Sequence, residues 1–284
     1  MTMQAAPLAT EDIGLGTAYE RVAIYRLFDR WAKDLRIEKA CEGPVDGMAG
    51  IPGLHLLGFA HHRIPVTVFL DSDDALRRVR AIYQRQRVDS MLSTERLDRG
   101  SIPPGRFDVL VNYNAIPYVQ DWRGYLDRLF TVEARWFFIV VSNPVSYGTY
   151  LRRLQRTVRG ERVTELFDHE GVRRGAIEPV LARHGRIIAH DYLDCPWWPD
   201  FLLPARKNLA GDTLAKVKGL LGSNGGKSVP KRFVFGEESY PFFEGEAGYE
   251  ETLRSIRLHP AFDRAPEPVA RFFGHLHGYV VERF

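Results

Sequence analysis

The run Trp136-Phe137-Phe138-Ile139-Val140-Val141 is the most apolar in the chain. It constrains the fold more than any other feature. Six successive apolar residues leave no side for water, so they read as a strand buried on both faces, as in the middle of a parallel sheet. A parallel sheet needs helical crossovers, and the surrounding sequence supplies them. Ala18, Val22, Tyr25, Phe28, Ala32 and Leu35 recur at helical spacing, which predicts an amphipathic helix over 18–34. Strands are expected over about 37–41 and 65–70, with a helix over about 53–62 between them. Asp73-Asp74 opens another helix, its acids suited to the positive end of the helix dipole. Met91-Leu92 marks a short third strand. Phe107–Asn112 reads as a fourth strand, Trp122, Tyr125, Leu126 and Leu129 as one face of a helix, and the Trp136 run as a fifth strand.

Helices are expected again over about 146–158 and around Ala176, Ile177, Val180 and Leu181, the second closed by Gly185. Arg186–Tyr192 reads as a sixth strand and Gly278–Arg283 as the last. This alternation predicts an α/β fold: a doubly wound, mostly parallel seven-stranded sheet with helices on both faces. Residues 194–273 are rich in proline, glycine and aromatics and read as a C-terminal insertion or cap. The expected organisation is therefore a tail over 1–17, a core domain over 18–193 and 274–284, and the insertion over 194–273.

Composition narrows the functions. The net charge of +3 is small and arginines alternate with acids, so no nucleic-acid partner is expected. Two cysteines, Cys41 and Cys195, provide neither a disulfide framework nor a metal cluster, which fits a cytoplasmic setting. The N-terminus lacks the pattern of a signal peptide, and no apolar stretch is long enough to span a membrane.

In an open α/β sheet, ligands bind beyond the carboxyl ends of the strands, near the switch in strand order. The first strand runs into Glu42-Gly43-Pro44-Val45-Asp46-Gly47-Met48-Ala49-Gly50-Ile51-Pro52-Gly53, a glycine-rich loop between strand and helix where a backbone can approach a nucleotide closely. Asp71 follows the second strand, Asn112-Tyr113-Asn114 the fourth, and Ser142-Asn143-Pro144 the fifth. The loop glycines fall as Gly47-x-x-Gly50-x-x-Gly53, which is not the dinucleotide fingerprint. Pro44 and Pro52 also remove backbone donors that a pyrophosphate would need.

Over about 37–142, and more weakly through the terminal strands, this set resembles the class I S-adenosylmethionine-dependent methyltransferases. That family ends its sheet with a sixth strand and an antiparallel seventh. The resemblance implies S-adenosylmethionine as cofactor and a small-molecule acceptor. It implies that Glu42, Gly43, Gly47 and Gly50 approach the cofactor and that Asp71 accepts hydrogen bonds from its ribose hydroxyls. It places Asn112, Tyr113 and Asn114 beside the methionine end and the acceptor. His169 is the first candidate for a general base, before His190, with Tyr113 beside the reacting centre. Tyr118 and the adjacent Trp197 and Trp198 are candidates for the acceptor pocket. The family's compact acid-and-glycine turn is replaced here by a longer, proline-interrupted loop. Two alternatives stay open: a noncatalytic methyltransferase-like binding or assembly protein, and an oxidoreductase using NAD(P) in a nonstandard way. Gly226-Lys227-Ser228 and His275-x-His277 lack the context of a phosphate loop or a metal site.

Overall fold

The computed structural model describes residues 12–13, 15–43, 53–98, 101–158, 171–193, 234–235, 249–255 and 265–284. In chain order, β1 (Asp12–Ile13) leads into α1 (Leu15–Leu35) and β2 (Ala40–Glu42). A 3-10 turn (Leu54–Leu56) continues into α2 (Leu57–His61), followed by β3 (Val66–Leu70), α3 (Asp73–Arg85) and β4 (Leu92–Arg96). Next come β5 (Arg106–Tyr113), α4 (Trp122–Leu129), β6 (Glu133–Ser142) and α5 (Tyr147–Val158). The described chain ends with α6 (Arg174–His184), β7 (Gly185–Leu193), β8 (Val234–Phe235), α7 (Tyr249–Ser255), α8 (Glu267–Phe273) and β9 (Leu276–Arg283).

Seven strands form one sheet in the order β4-β3-β2-β5-β6-β9-β7. The pairs from β4 through β6 are parallel, and β9 runs antiparallel between β6 and β7. The expected doubly wound, mostly parallel sheet of seven strands is present, closing with a sixth strand and an antiparallel seventh. Val68, Val111, Phe138 and Val280 pack against Phe28, Trp31 and Phe59 from α1 and α2. On the other face, Leu110, Phe137, Ile139 and Val281 pack against Trp122, Leu126, Ile177 and Leu181 from α4 and α6. The Trp136 run contributes alternately to both cores, as a strand buried on both sides must. Separately, Asp12–Ile13 pairs antiparallel with Val234–Phe235.

Two strands differ from expectation. The first starts at Ala40, three residues later than expected. The Asp108 carboxylate accepts hydrogen bonds from the backbone N–H groups of Glu38 and Lys39, both at 2.8 Å. Those amides are bound to a side chain before the ladder begins. The third strand extends to Arg96, beyond Met91-Leu92. It is the sheet's edge, reading Leu-Ser-Thr-Glu-Arg with no residue fully buried, so it carries no apolar signal. Polar, charged residues suit an edge that must not recruit another strand.

Candidate functional site

Crossovers leave β2 in opposite directions: the chain moves outward to β3 and β4, then returns to β5 on the other side of β2. This is the switch in strand order, where a crevice opens at the carboxyl ends. Glu42 ends β2 and Tyr113 ends β5. Both side chains lie on the α1 face, with the 3-10 turn at 54–56 and the first half of α1 over them.

Glu42 is buried, and its Oε1 lies 2.7 Å from His55 Nδ1. The other ring nitrogen, Nε2, lies 3.0 Å from Arg21 Nη1 on α1. The Tyr113 ring stacks on His55 with centroids 3.9 Å apart, and its hydroxyl donates to Glu20 Oε1. Glu20 Oε2 is 3.9 Å from His275 Nδ1, just before β9. Arg21, Glu42, His55 and Tyr113 are each no more than 5% exposed. A charged set this desolvated must be hydrogen-bonded to persist. One atom departs from that rule: Glu42 Oε2 is buried with no hydrogen-bond partner among the described residues.

The remaining expected residues take distinct places. Asp71 is half-buried directly after β3. The adjacent helix does not use it as a cap, because Ser72 Oγ accepts from Ala75 N–H at 3.2 Å. Gly43 continues the β2 ladder, its N–H donating to Val111 O at 3.2 Å. A Cβ there would press on Phe69 and Pro103, both at 3.2 Å. Asn112 faces away from Tyr113, onto the α4 side, where its Nδ2 donates to Tyr125 Oη at 2.6 Å. Asn114 adopts φ 49°, a conformation asparagine tolerates better than most residues. Its Oδ1 accepts from Ser142 N–H and Oγ at 3.0 and 2.9 Å, fastening β5 to β6. The structure therefore brings Glu42 and Tyr113 together, sets Asp71 one strand away, and turns Asn112 Nδ2 and Asn114 Oδ1 to partners elsewhere, while Asn112 Oδ1 is buried without a partner among the described residues. Gly47, Gly50, His169, Trp197, Trp198 and the Tyr118 side chain lie outside the described residues.

Sequence reasoning missed Glu20, Arg21 and His55. A signal existed for two of them. Arg21 shares a helical stripe with Tyr25, Phe28 and Ala32, which places a charge on the buried side of α1. His55 interrupts an otherwise apolar run, Leu54 to Ala60, and so is buried with it.

Cys41, beside Glu42, faces the opposite core, and burial pushes its thiol well above its ordinary pKa. That keeps it an inert packing residue rather than a nucleophile. Among the described residues no cluster of three or more His, Cys, Asp or Glu could hold a metal, and no helix is long and apolar enough to cross a membrane. A groove of about 460 Å³ beside Trp136 and Glu282 opens at the other end of the sheet, by the amino ends of β6 and β7. Arg135 and Arg186 there are held by Glu282 at 3.0 and 2.7 Å.

No family model and no curated protein sequence matches the chain. Among solved structures, it is similar to the magnesium protoporphyrin IX methyltransferase of Synechocystis with bound SAH, at 10% identity and a TM-score of 0.45. That match covers 60% of this chain and 75% of the other. YcgJ from Bacillus subtilis is 12% identical with a TM-score of 0.44, over 92% and 98% of the two chains. YjhP from E. coli is 8% identical with a TM-score of 0.47, over 91% and 90%. In strand order and strand direction, the chain has the doubly wound, seven-stranded fold that its resemblance to the class I methyltransferases implied.

Proposed function

We propose that the protein binds S-adenosylmethionine at the carboxyl ends of β2, β3 and β5 and transfers its methyl group to a small-molecule acceptor. One observation carries this reading: a buried carboxylate oxygen, Glu42 Oε2, stands at the switch point without a partner among the described residues. Leaving such an acceptor unmade costs about 1–3 kcal/mol. A ligand bearing N–H donors recovers that cost, and the ammonium of the cofactor's methionine portion is such a donor. Asp71 directly follows β3, and Ser72, not Asp71, caps α3. The Asp71 carboxylate can accept from both ribose hydroxyls at once. Gly43, Gly47 and Gly50 are assigned to the cofactor on sequence position, as residues that permit close backbone approach.

When bound, the sulfonium supplies an electrophilic methyl group for an in-line displacement, which the protein promotes by alignment and desolvation. Tyr113 walls the β5 side, while Asn112 and Asn114 hold the strand end in shape. The acceptor-side assignments rest on sequence position: His169 as base, and Tyr118, Trp197 and Trp198 as pocket walls.

A second reading is a noncatalytic binding or assembly protein. Side chains already packed over the strand ends favour it, since Arg21, His55 and Tyr113 are all buried. Calorimetry with S-adenosylmethionine, S-adenosylhomocysteine and NAD decides between them. Micromolar affinity for the first two is the expected result. Absence of binding to either overturns the methyltransferase reading.

A further inference from the structure

We infer that His55 and Arg21 are positioning residues: together they fix the Glu42 carboxylate so that Oε2 is presented to a primary ammonium on the ligand. The inference rests on the cofactor reading above and adds to it the device that orients the acid.

The hydrogen-bond directions follow from the donor inventory. A guanidinium only donates, so His55 Nε2, 3.0 Å from Arg21 Nη1, must accept. The ring proton then sits on Nδ1 and is donated to Glu42 Oε1 at 2.7 Å. Arg21 therefore selects the tautomer, and the tautomer selects which carboxylate oxygen is used. The ring plane is fixed as well: Tyr113 stacks on it with the planes 24° apart. Tyr113 is itself tied through its hydroxyl to Glu20, the neighbour of Arg21 on α1. Two adjacent residues of one helix thus govern the edge of the imidazole and its stacking partner.

With Oε1 engaged, Glu42 has lost its freedom to rotate before any ligand arrives. Preorganisation of this kind lowers the ordering cost at binding. The sign of the ligand's charge follows from the same set. Among the described residues, Glu20 lies 3.9 Å from the Arg21 guanidinium and 3.9 Å from His275 Nδ1. Glu42 meets Arg21 only through His55, and the His55 tautomer that accepts from Arg21 carries no charge. The residual charge is negative, which suits an ammonium and repels a carboxylate or phosphate.

The test separates the two hydrogen bonds of His55. In His55→Asn, the amide nitrogen falls near the position of Nδ1 and keeps the donation to Glu42, but nothing reaches Arg21. In His55→Gln, the longer side chain keeps an acceptor for Arg21 and loses the donor at the Nδ1 position. Affinities are measured by calorimetry for S-adenosylhomocysteine and for its analogue lacking the amino group. The expected result is that His55→Asn stays within about 3-fold of wild type for S-adenosylhomocysteine. His55→Gln is expected to weaken by about 10-fold or more, the scale of a charge-assisted hydrogen bond. For the deaminated analogue, both variants should match wild type.

Equal losses in the two variants, or a His55→Gln loss that is the same for both ligands, would overturn the inference and leave His55 a packing residue. A wild-type protein that binds neither ligand overturns the cofactor reading itself, and the relay with it. An independent check needs no variant: nitrogen-15 NMR of the wild type at neutral pH should show His55 protonated at Nδ1 and bare at Nε2. The opposite tautomer refutes the relay.

Discussion

Acidification should destabilise this protein through His277, and the geometry fixes both the sign and the size. His277 lies on β9, where its Nε2–H donates to the carbonyl of Val172 at 2.9 Å. Its Nδ1 accepts from His190 Nε2 on β7 at 3.3 Å. Tyr192 on β7 and Tyr279 on its own strand pack against it. Arg174 on α6 and Arg271 on α8 act on its charge, and Glu178, Asp191 and Glu267 act on that of its partner His190. Burial, then the proximity of His190, pushes the His277 pKa down from 6.5 to about 3. A histidine with a depressed folded pKa stays neutral in the native state while the unfolded chain takes up its proton. Unfolding therefore binds a proton between pH 6.5 and about 3, and stability falls as pH drops through that window. Between pH 7 and pH 5 the unfolded histidine becomes almost fully protonated and the folded one does not. That difference costs about 2 kcal/mol. Burial lowers His190 in the same direction, so the His277 contribution must be isolated by substitution. His277→Gln retains a donor toward Val172 and removes the titration. Urea denaturation of both proteins at pH 7 and pH 5 should show wild type losing about 2 kcal/mol more than the variant over this interval. The variant is expected to be less stable at pH 7, because glutamine fills the ring's space poorly. Equal losses in the two proteins would refute the argument.

Asp71→Ala should weaken S-adenosylhomocysteine binding by about 1.5–3 kcal/mol while the fold persists, since Ser72 caps α3. Unchanged affinity in calorimetry would remove Asp71 from the site. Gly185→Ala should cost about 2 kcal/mol or more, because the new Cβ would lie 2.3 Å from the carbonyl oxygen of Glu282 and β9 cannot retreat without losing its pairing to β7. Gly175→Ala, in α6 with nothing within 4 Å of the added carbon, should instead gain about 0.5–1 kcal/mol. Thermal unfolding of the two alanine variants should move in opposite directions.

The parts of the fold that were legible in the sequence are those where burial dictates composition. The Trp136 run and the Phe107 strand are apolar on both faces because helices cover both faces. The edge strand β4 faces no such demand, so Ser93, Thr94 and Glu95 gave no signal. The late start of β2 depended on Asp108, about seventy residues away in the chain, and no local pattern encodes that. The position of Glu42, Asp71 and Tyr113 at strand ends near the switch point was legible, and such strand ends are where ligands bind in open α/β sheets. Asn112 could have been separated from them on paper: successive strand residues point to opposite faces, so Asn112 and Tyr113 cannot share one cleft. Arg21 and His55 meet across 34 residues, and their partnership exists only once α1 is folded over the sheet.

Stability alone gives no reason for the polar cluster that results. Buried ion networks are poor stabilising devices, and apolar residues of similar volume often serve better by about 1–4 kcal/mol. The apolar solution is available in this chain, since the residues flanking the cluster on β2 and β5 are Ala40, Cys41, Leu110 and Val111, all buried. At the strand end this pattern gives way to a glutamate that uses one oxygen to bind His55 and leaves the other without a partner among the described residues. The bound oxygen depends on His55 and Arg21, both themselves costly to bury. A structural plug would need no such arrangement, because a leucine at position 42 would satisfy the core without any of the three. An acid held by a dedicated pair, with its second oxygen unspent at the switch point, is the arrangement expected where the missing partner is a ligand.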